Sequence, residues 1–231
     1  MLANASAWTL LFIIVHLVVI ALLSWQTYRY SSGADRYLGL ALLTPWFVAT
    51  LAIVHSGMVE DMSAMLSPLG IVLGTVVVAG LALLRYWQPL RRVIQALPLP
   101  WLMGIQVYRV IGIVFLFGWL EGSVPVELGP LTAFNDILVS VTALLMARLA
   151  ITGRRIRLMQ AWNIFGLLDF AYAITVGVLA APHALQVLQL TPDSSALGLL
   201  PLSLIALWAV PLSIFLHTAS LMRLQALRQM N

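Results

Sequence analysis

The sequence predicts an all-α, polytopic integral membrane protein with seven transmembrane helices. Of its 231 residues, 62% are apolar and 9% are charged, and the mean hydropathy is +1.01. Soluble domains carry about 45–50% apolar and about 25% charged residues, so this chain lacks the polar surface that water requires. Two further observations agree: seven apolar windows have membrane-spanning length, and 11 of the 12 arginines lie in or beside alternate connections between them or in the carboxyl-terminal tail.

Seven windows of about 20 residues are apolar enough to cross a hydrocarbon core of about 30 Å. They cover residues 8–28, 37–58, 68–87, 101–120, 131–150, 161–181 and 199–221. The first window is longer than the apolar core of a signal peptide, and no Arg or Lys precedes it, so we expect it to remain as a helix. The prediction is a single seven-helix membrane domain over residues 1–231.

The distribution of charge predicts the orientation of the helices. Arginines lie in or directly beside every second connection and in the carboxyl-terminal tail, namely Arg29, Arg36, Arg85, Arg91, Arg92, Arg148, Arg154, Arg155, Arg157, Arg223 and Arg228. The other connections carry Glu60, Asp61, Glu121, Glu127 and Asp193 and no arginine. Because basic residues accumulate on the cytoplasmic side, we expect the amino terminus outside and the carboxyl terminus in the cytoplasm. We also expect a multi-pass protein of a cell membrane, the bacterial inner membrane.

The connection over residues 88–100 has two interpretations. Its apolar residues fall on one helical face and its arginines on the other, which is typical of a short interfacial helix on anionic headgroups. The alternative is a solvated basic loop bracketed by Pro89, Pro98 and Pro100.

Composition also excludes several classes of function. Cysteine is absent, so thiolate-bound clusters and zinc ribbons are excluded. All 12 basic residues are arginine, so no lysine Schiff base can hold retinal or pyridoxal phosphate. The pI of 10.0 reflects a net charge of only +4, placed where membrane topology requires it, and we expect no nucleic acid partner. The sequence has no HExxH, GxSxG or glycine-rich phosphate loop, and predicts no catalytic residue.

Charged residues inside the apolar windows are the candidate functional residues. Arg109 and Asp169 lie eight residues inside the fourth and sixth windows, so each is about 12 Å from the cytoplasmic boundary at 1.5 Å per residue. His217 lies about 6 Å deep in the seventh window, and Asn163 is shallower than Asp169 on the sixth. Such residues face the bundle interior and are paired. We therefore expect an inner polar cluster of these four residues.

A second polar group is expected in the outer half of the bilayer. Asp136 lies about 8 Å below the outer boundary of the fifth window, and Glu121, His16 and His55 share this half. Small and polar residues on single stripes predict close helix contacts that shield the charges from lipid. These stripes are Asn163, Gly166, Asp169, Ala173 and Gly177 on the sixth window and Thr132, Asp136, Ser140, Ala143 and Ala147 on the fifth.

The second half of the chain resembles a group of uncharacterised bacterial multi-pass membrane proteins. The resemblance rests on RVIGIVFLFGWLEG at 109–122, NDILVSVTALLMAR at 135–148, WNIFGLLDFAYAITVG at 162–177 and PLSLIALWAVPLSIFLH at 201–217. It implies that the following residues match the pattern of the group: Arg109, Asp136, Asn163, Asp169, Pro201, Pro211 and His217. In that group a glycine precedes the aspartate that Asp136 matches, and this chain has Asn135 in place of the glycine. The resemblance implies no activity.

Three functions are compatible with these patterns. The first is a permease or channel-like protein for a small polar solute or an ion, with a path between the last four helices. The second is a haem-binding or redox subunit, because His16 and His55 on adjacent helices are suited to ligate a haem; no other cofactor is predicted. The third is a non-catalytic scaffold or assembly factor, in which the Arg109 and Asp169 pair only fixes helix register. The lipid bilayer is the expected partner in every case.

Overall fold

The computed structural model describes residues 5–63, 67–184 and 186–230. Within these ranges the chain is helical and contains no strand. Seven of the described helices are long and apolar enough to cross a membrane: Ser6–Tyr30, Gly33–His55, Pro68–Tyr86, Leu99–Leu120, Gly129–Thr152, Ile156–Leu179 and Leu202–Arg228. The prediction of seven spans is confirmed. The largest differences in bounds are in the sixth span, which begins at 156 instead of 161, and in the seventh, which ends at 228 instead of 221.

The first three spans are nearly regular α-helices. Their elements are α1, Ala5–Tyr30, a 3₁₀ turn, Gly33–Tyr37, followed by α2, Leu38–His55, and α3, Pro68–Tyr86. The hydroxyl of Ser67 accepts the Gly70 amide at 3.4 Å, and Pro68 occupies the first helical turn, so α3 has both common start signals.

A short amphipathic helix, α4, covers Gln88–Ala96 and joins the third span to the fourth. Its apolar residues Val93 and Ile94 are buried in the bundle core. On its polar face, Arg92 donates from Nε to Asp35 at 2.7 Å. The helical interpretation of this connection is therefore correct, but the apolar face packs against protein.

The fourth span is interrupted and the fifth and sixth are continuous. The fourth consists of α5, Leu99–Gly104, a 3₁₀ segment, Ile105–Gly112, and α6, Ile113–Leu120. The fifth and sixth are α7, Gly129–Thr152, and α8, Ile156–Leu179. Gly153 has φ of +63° and ends α7, a left-handed position that glycine adopts without strain.

The seventh span contains a π-helical turn. It runs from α9, Leu202–Leu204, through the π turn, Ile205–Ala209, into α10, Val210–Met230. Pro211 has no N–H to donate to the preceding turn, which disturbs the regular hydrogen-bond ladder at this point.

The fourth and seventh spans form the centre of the bundle. In their most apolar windows, 61% and 78% of residues are buried, against 17–39% in the other five spans. Trp208 in the π turn is completely buried and packs at a ring distance of 4.1 Å from Trp46 on α2. Polar residues on the two central spans are therefore remote from lipid, and the candidate site lies here.

Candidate functional site

Arg109 is the centre of a polar cluster inside the bundle. Its side chain is 2% exposed and extends from the 3₁₀ segment of the fourth span. Nε donates to Oδ1 of Asp136 at 2.7 Å, Nη1 to Nε2 of His217 at 3.0 Å, and Nη2 to Oδ2 of Asp169 at 2.6 Å. One guanidinium group therefore joins the fourth, fifth, sixth and seventh spans.

The two carboxylates are held differently. Oδ1 of Asp136 also lies 2.6 Å from Nη2 of Arg109, so it bridges two guanidinium nitrogens. Oδ1 of Asp169 accepts a hydrogen bond from Nδ2 of Asn135 at 2.9 Å. Among the described residues no donor bonds to Oδ2 of Asp136, which faces the α-carbon of Gly112. This oxygen is open to a further donor.

His217 is the start of a hydrogen-bond chain with a fixed direction. Because Arg109 can only donate, Nε2 of His217 is the acceptor and the proton is on Nδ1. Nδ1 donates to Oδ1 of Asn163 at 2.9 Å, and Nδ2 of Asn163 donates to the Met159 carbonyl at 2.8 Å. These directions require the neutral imidazole, so His217 adds no positive charge to the cluster.

Aromatic rings enclose the charged groups. Cζ of Arg109 lies 4.2 Å from the ring centroid of Phe170, within the range of a cation–π contact. Trp162 packs edge-on to His217 at 5.2 Å between ring centroids, and its Nε1 donates to Thr142 at 2.8 Å. Both rings belong to α8 and are buried.

The cluster has one more negative than positive charge. Arg109 contributes +1, Asp136 and Asp169 contribute −1 each when ionised, and the neutral His217 contributes none. In a medium of low dielectric constant, an uncompensated charge costs several kcal/mol. The cluster is therefore suited to bind one further positive charge.

A small cavity lies beside Asp136. Its volume is about 10 Å³, close to the minimum that one water molecule requires. Besides Arg109 and Asp136, it is lined by Tyr108 and Ser213, whose hydroxyls are hydrogen-bonded to each other. The cavity thus holds enough polar partners for one water molecule, but it is too small for a solute.

Two glycines allow the cluster to form. A Cβ at Gly112 would overlap the carboxylate of Asp136, and a Cβ at Gly166 would overlap the imidazole of His217. Both side chains therefore lie directly against the backbone of the neighbouring span. Gly166 belongs to the stripe of small residues that predicted close helix contacts.

We expect Gly166→Ala to lower the melting temperature of the detergent-solubilised protein by several degrees. The new methyl group forces His217 away from Arg109, and overpacking a buried site costs about 1–3 kcal/mol. Gly74→Ala is the matched control, because a Cβ at Gly74 meets nothing within 4 Å. Equal melting temperatures for the two variants would contradict the packing described here.

The structure brings together all four residues of the expected inner cluster. Arg109 contacts Asp169 and His217 directly, and Asn163 contacts His217. The expectation that Asp136 belongs to a separate outer group is wrong, since it bonds to Arg109. The reason is local: a 3₁₀ segment rises about 2.0 Å per residue instead of 1.5 Å, and the long arginine side chain carries its charge farther along the bundle.

The other expected outer residues do not join the cluster. His16 is completely buried, its Nδ1 donates to the Phe12 carbonyl at 2.8 Å, and its ring lies 6.5 Å from that of Phe47. His55 is exposed and is eight residues, or about 12 Å, farther along α2 than Phe47. The structure therefore does not bring these two histidines together as a pair of haem ligands.

Glu121 also lies apart from the cluster. It is exposed just beyond α6, 12 residues from Arg109 along the same span. In the described part of the chain, no three His, Asp or Glu side chains are grouped in a manner that suits a metal ion.

Several partners of the charged residues were missed in the sequence. Asn135 was noted only as a departure from the resembled pattern, although its amide binds Asp169. Tyr108 and Ser213 were not singled out, although a hydroxyl in an apolar window carries the same signal as Asn163. Phe170 gave no signal, because an aromatic residue in a membrane helix is ordinary.

Comparison with known families identifies the region that carries this cluster. A family model described as a domain of unknown function, DUF8737, matches residues 66–225. The chain belongs to the DUF8737 family. Searches of curated proteins and of solved structures found no match.

The DUF8737 region includes every residue of the cluster. Arg109, Asp136, Asn163, Asp169 and His217 all lie within residues 66–225, as does the whole range of the resemblance drawn from the sequence. The first two spans, with His16 and His55, lie outside the matched region. The description of the DUF8737 family gives no activity.

Proposed function

We propose that the protein is a small permease or channel-like membrane protein whose conducted or coupling ion is a proton. The observation that carries the proposal is the charge of the buried cluster, where Asp136 and Asp169 share the single guanidinium of Arg109. A proton is the cation that the site accommodates best, since the adjoining cavity has room for about one water molecule.

Asp136 is the expected proton acceptor. Its Oδ2 receives no hydrogen bond from the described residues, and Asp136 lines the cavity. A proton on Oδ2 changes the net charge of the cluster from −1 to 0, and the resulting O–H can donate to a water molecule in the cavity. The hydroxyls of Ser213 and Tyr108, which are hydrogen-bonded to each other, line the same cavity and are the next polar groups on the proposed path.

Proton binding would also bias the packing of the four spans. Arg109 is attracted to two carboxylates in one state and to one carboxylate in the other, so its contacts with α7 and α8 differ in strength between them. A charge change that alters contacts between packed helices shifts the population of their arrangements. This supplies a link between proton binding and the opening of a path.

The proposed orientation places the arginine-rich connections in the cytoplasm of a bacterial cell, with the protein in its inner membrane. Support comes from the alternation of basic and acidic connections along the chain. On the acidic side, Asp61 accepts hydrogen bonds from the hydroxyl and from the backbone amide of Ser63. These two bonds, chiefly the one from the hydroxyl, hold the pKa of the Asp61 carboxyl below its usual range. Asp61 therefore stays ionised outside the spans.

We expect reconstituted wild-type protein to conduct protons, and Asp136→Asn and Asp169→Asn to reduce the rate at least tenfold. Proteoliposomes with an enclosed pH-sensitive dye and a potassium diffusion potential provide the measurement. Asp61→Asn is the matched control, since Asp61 is a carboxylate outside the bundle and should leave the rate unchanged.

Two results would contradict the proposal. One is a wild-type rate equal to that of empty liposomes. The other is a proton flux that neither intramembrane substitution alters, which would separate conduction from the Arg109 cluster.

A structural role as a scaffold is the second candidate. It is favoured by the observation that all three guanidinium nitrogens of Arg109 are engaged by protein groups from other spans. A cluster of this kind fixes the register of four helices without any exchange of ions. The scaffold predicts no proton flux from wild-type protein, so the same proteoliposomes distinguish the two candidates.

A further inference from the structure

A second cavity lies in the part of the bundle away from the Arg109 cluster. It is bordered by α1, α2, α3, α4 and α10, and its volume is about 360 Å³. Ligand pockets have volumes of about 300–1,000 Å³. An engineered apolar cavity of about 150 Å³ already binds benzene. This cavity is therefore large enough for a sizeable apolar group.

The lining of the cavity is suited to hydrocarbon. Nearly all of its residues are apolar, including Trp46, Leu90 and Phe215, and Thr27 is an exception whose hydroxyl donates to the Leu23 carbonyl at 2.8 Å. On α3, the lining residues Ala79 and Leu83 are exposed at the surface of the bundle. An acyl chain from the surrounding bilayer can therefore enter between the helices along α3.

Two arginines lie next to the cavity-lining residues. On α10 the lining positions 212, 215, 216 and 219 follow one helical face, and Arg223 is the next position on that face, about 6 Å beyond Ala219. Arg36 lies two residues before Leu38, which also lines the cavity. Two positively charged residues therefore lie beside the residues that line the apolar space.

Neither arginine has a hydrogen-bond acceptor or a carboxylate partner in the described part of the chain. Arg36 instead places its Cζ 5.1 Å from the ring centroid of Tyr28. By contrast, the nearby Arg92 has its guanidinium engaged by Asp35 through two hydrogen bonds. Arginine presents a planar fork of donors that matches a phosphate group.

We infer that this cavity is a binding site for an anionic phospholipid. One acyl chain occupies the apolar space between α1, α3 and α10, and the phosphate contacts Arg223 and Arg36. Charge complementarity selects this occupant, because an apolar molecule alone leaves both arginines without an opposite charge. The site is separate from the Arg109 cluster, and the inference does not depend on proton conduction.

The test measures lipid retention by the full chain with native mass spectrometry. Detergent-purified protein is equilibrated with phosphatidylglycerol or phosphatidylcholine of the same acyl chains, or with inorganic phosphate alone. We expect phosphatidylglycerol to be retained at least fivefold more than phosphatidylcholine, and no adduct from inorganic phosphate. Arg223→Gln should reduce phosphatidylglycerol retention about fivefold, whereas Arg228→Gln, at an exposed position on the same helix, should not.

A second pair of variants tests the acyl-chain part of the site. Ala79→Trp fills the cavity from α3, and Ala82→Trp places the same bulk on an exposed position of α3 that does not line it. We expect only Ala79→Trp to abolish retention. Equal retention of the two lipids, binding of inorganic phosphate alone, or equal behaviour of the two tryptophan variants would each overturn the inference.

Discussion

Replacing Arg109 by glutamine is expected to lower the free energy of unfolding by about 3–5 kcal/mol, the usual cost of breaking a buried ion pair by removal of one partner. The substitution leaves Asp136 and Asp169 as two carboxylates inside the bundle without their shared cation. It also removes the donor to His217. Denaturant or thermal unfolding in detergent, monitored by circular dichroism, measures the change.

The control for Arg109→Gln is Arg157→Gln, which removes an exposed arginine from α8 and should leave stability unchanged. The triple variant Arg109→Gln, Asp136→Asn, Asp169→Asn removes every formal charge from the cluster. Because replacement of a whole buried ion pair is much less costly than removal of one member, we expect the triple variant to regain most of the lost stability. A triple variant no more stable than Arg109→Gln would show that charge balance does not determine stability here.

The number and approximate bounds of the seven apolar helices were predictable from the sequence because the bilayer imposes a strict requirement. Every span needs about 20 apolar residues, and these windows are visible without any knowledge of packing. The departures from regular α-helix within the spans were not predictable. The 3₁₀ segment Ile105–Gly112 and the π turn Ile205–Ala209 depend on contacts with other helices, which composition does not reveal.

The polar cluster was partly predictable. Depth along a helix can be counted from the sequence, and this count placed Arg109 level with Asp169. For Asp136 the same count failed, because it assumed a constant rise of about 1.5 Å per residue and gave no length to the arginine side chain. Because a charge inside the bilayer is costly, Arg109 needs an oppositely charged partner. This requirement does not specify which of the two carboxylates, Asp136 or Asp169, lies within reach, and in the structure both do.

Rotation of the helices about their axes is the information that the sequence lacked. His16 and Asn163 are both polar residues in apolar windows, yet only Asn163 is part of the cluster. His16 instead stacks on Phe12 at a ring distance of 3.9 Å. Stripes of small residues indicate which face of a helix packs, as Gly166 does for α8, but they do not indicate which neighbour it meets.

Single neutralisation of either carboxylate is expected to cost about 1 kcal/mol or less, whereas neutralisation of both should cost about 3–5 kcal/mol, as for other buried charges left alone. In Asp136→Asn or Asp169→Asn, one carboxylate remains to balance Arg109 and the repulsion between the two carboxylates is removed. In the double variant the guanidinium is buried with no opposite charge. The measurement is a double-mutant cycle of unfolding free energies, which should show a coupling of about 1 kcal/mol or more between residues that share a partner.

The cycle also determines how the flux measurements are interpreted. Each single variant is expected to keep a neutral cluster, so an unchanged free energy of unfolding in Asp136→Asn would show that a loss of proton flux does not come from unfolding. Asparagine at this position imitates the protonated carboxyl in charge and shape but cannot release a proton. Additive costs for the two substitutions would contradict the sharing of one guanidinium, and with it the charge excess that supports proton binding.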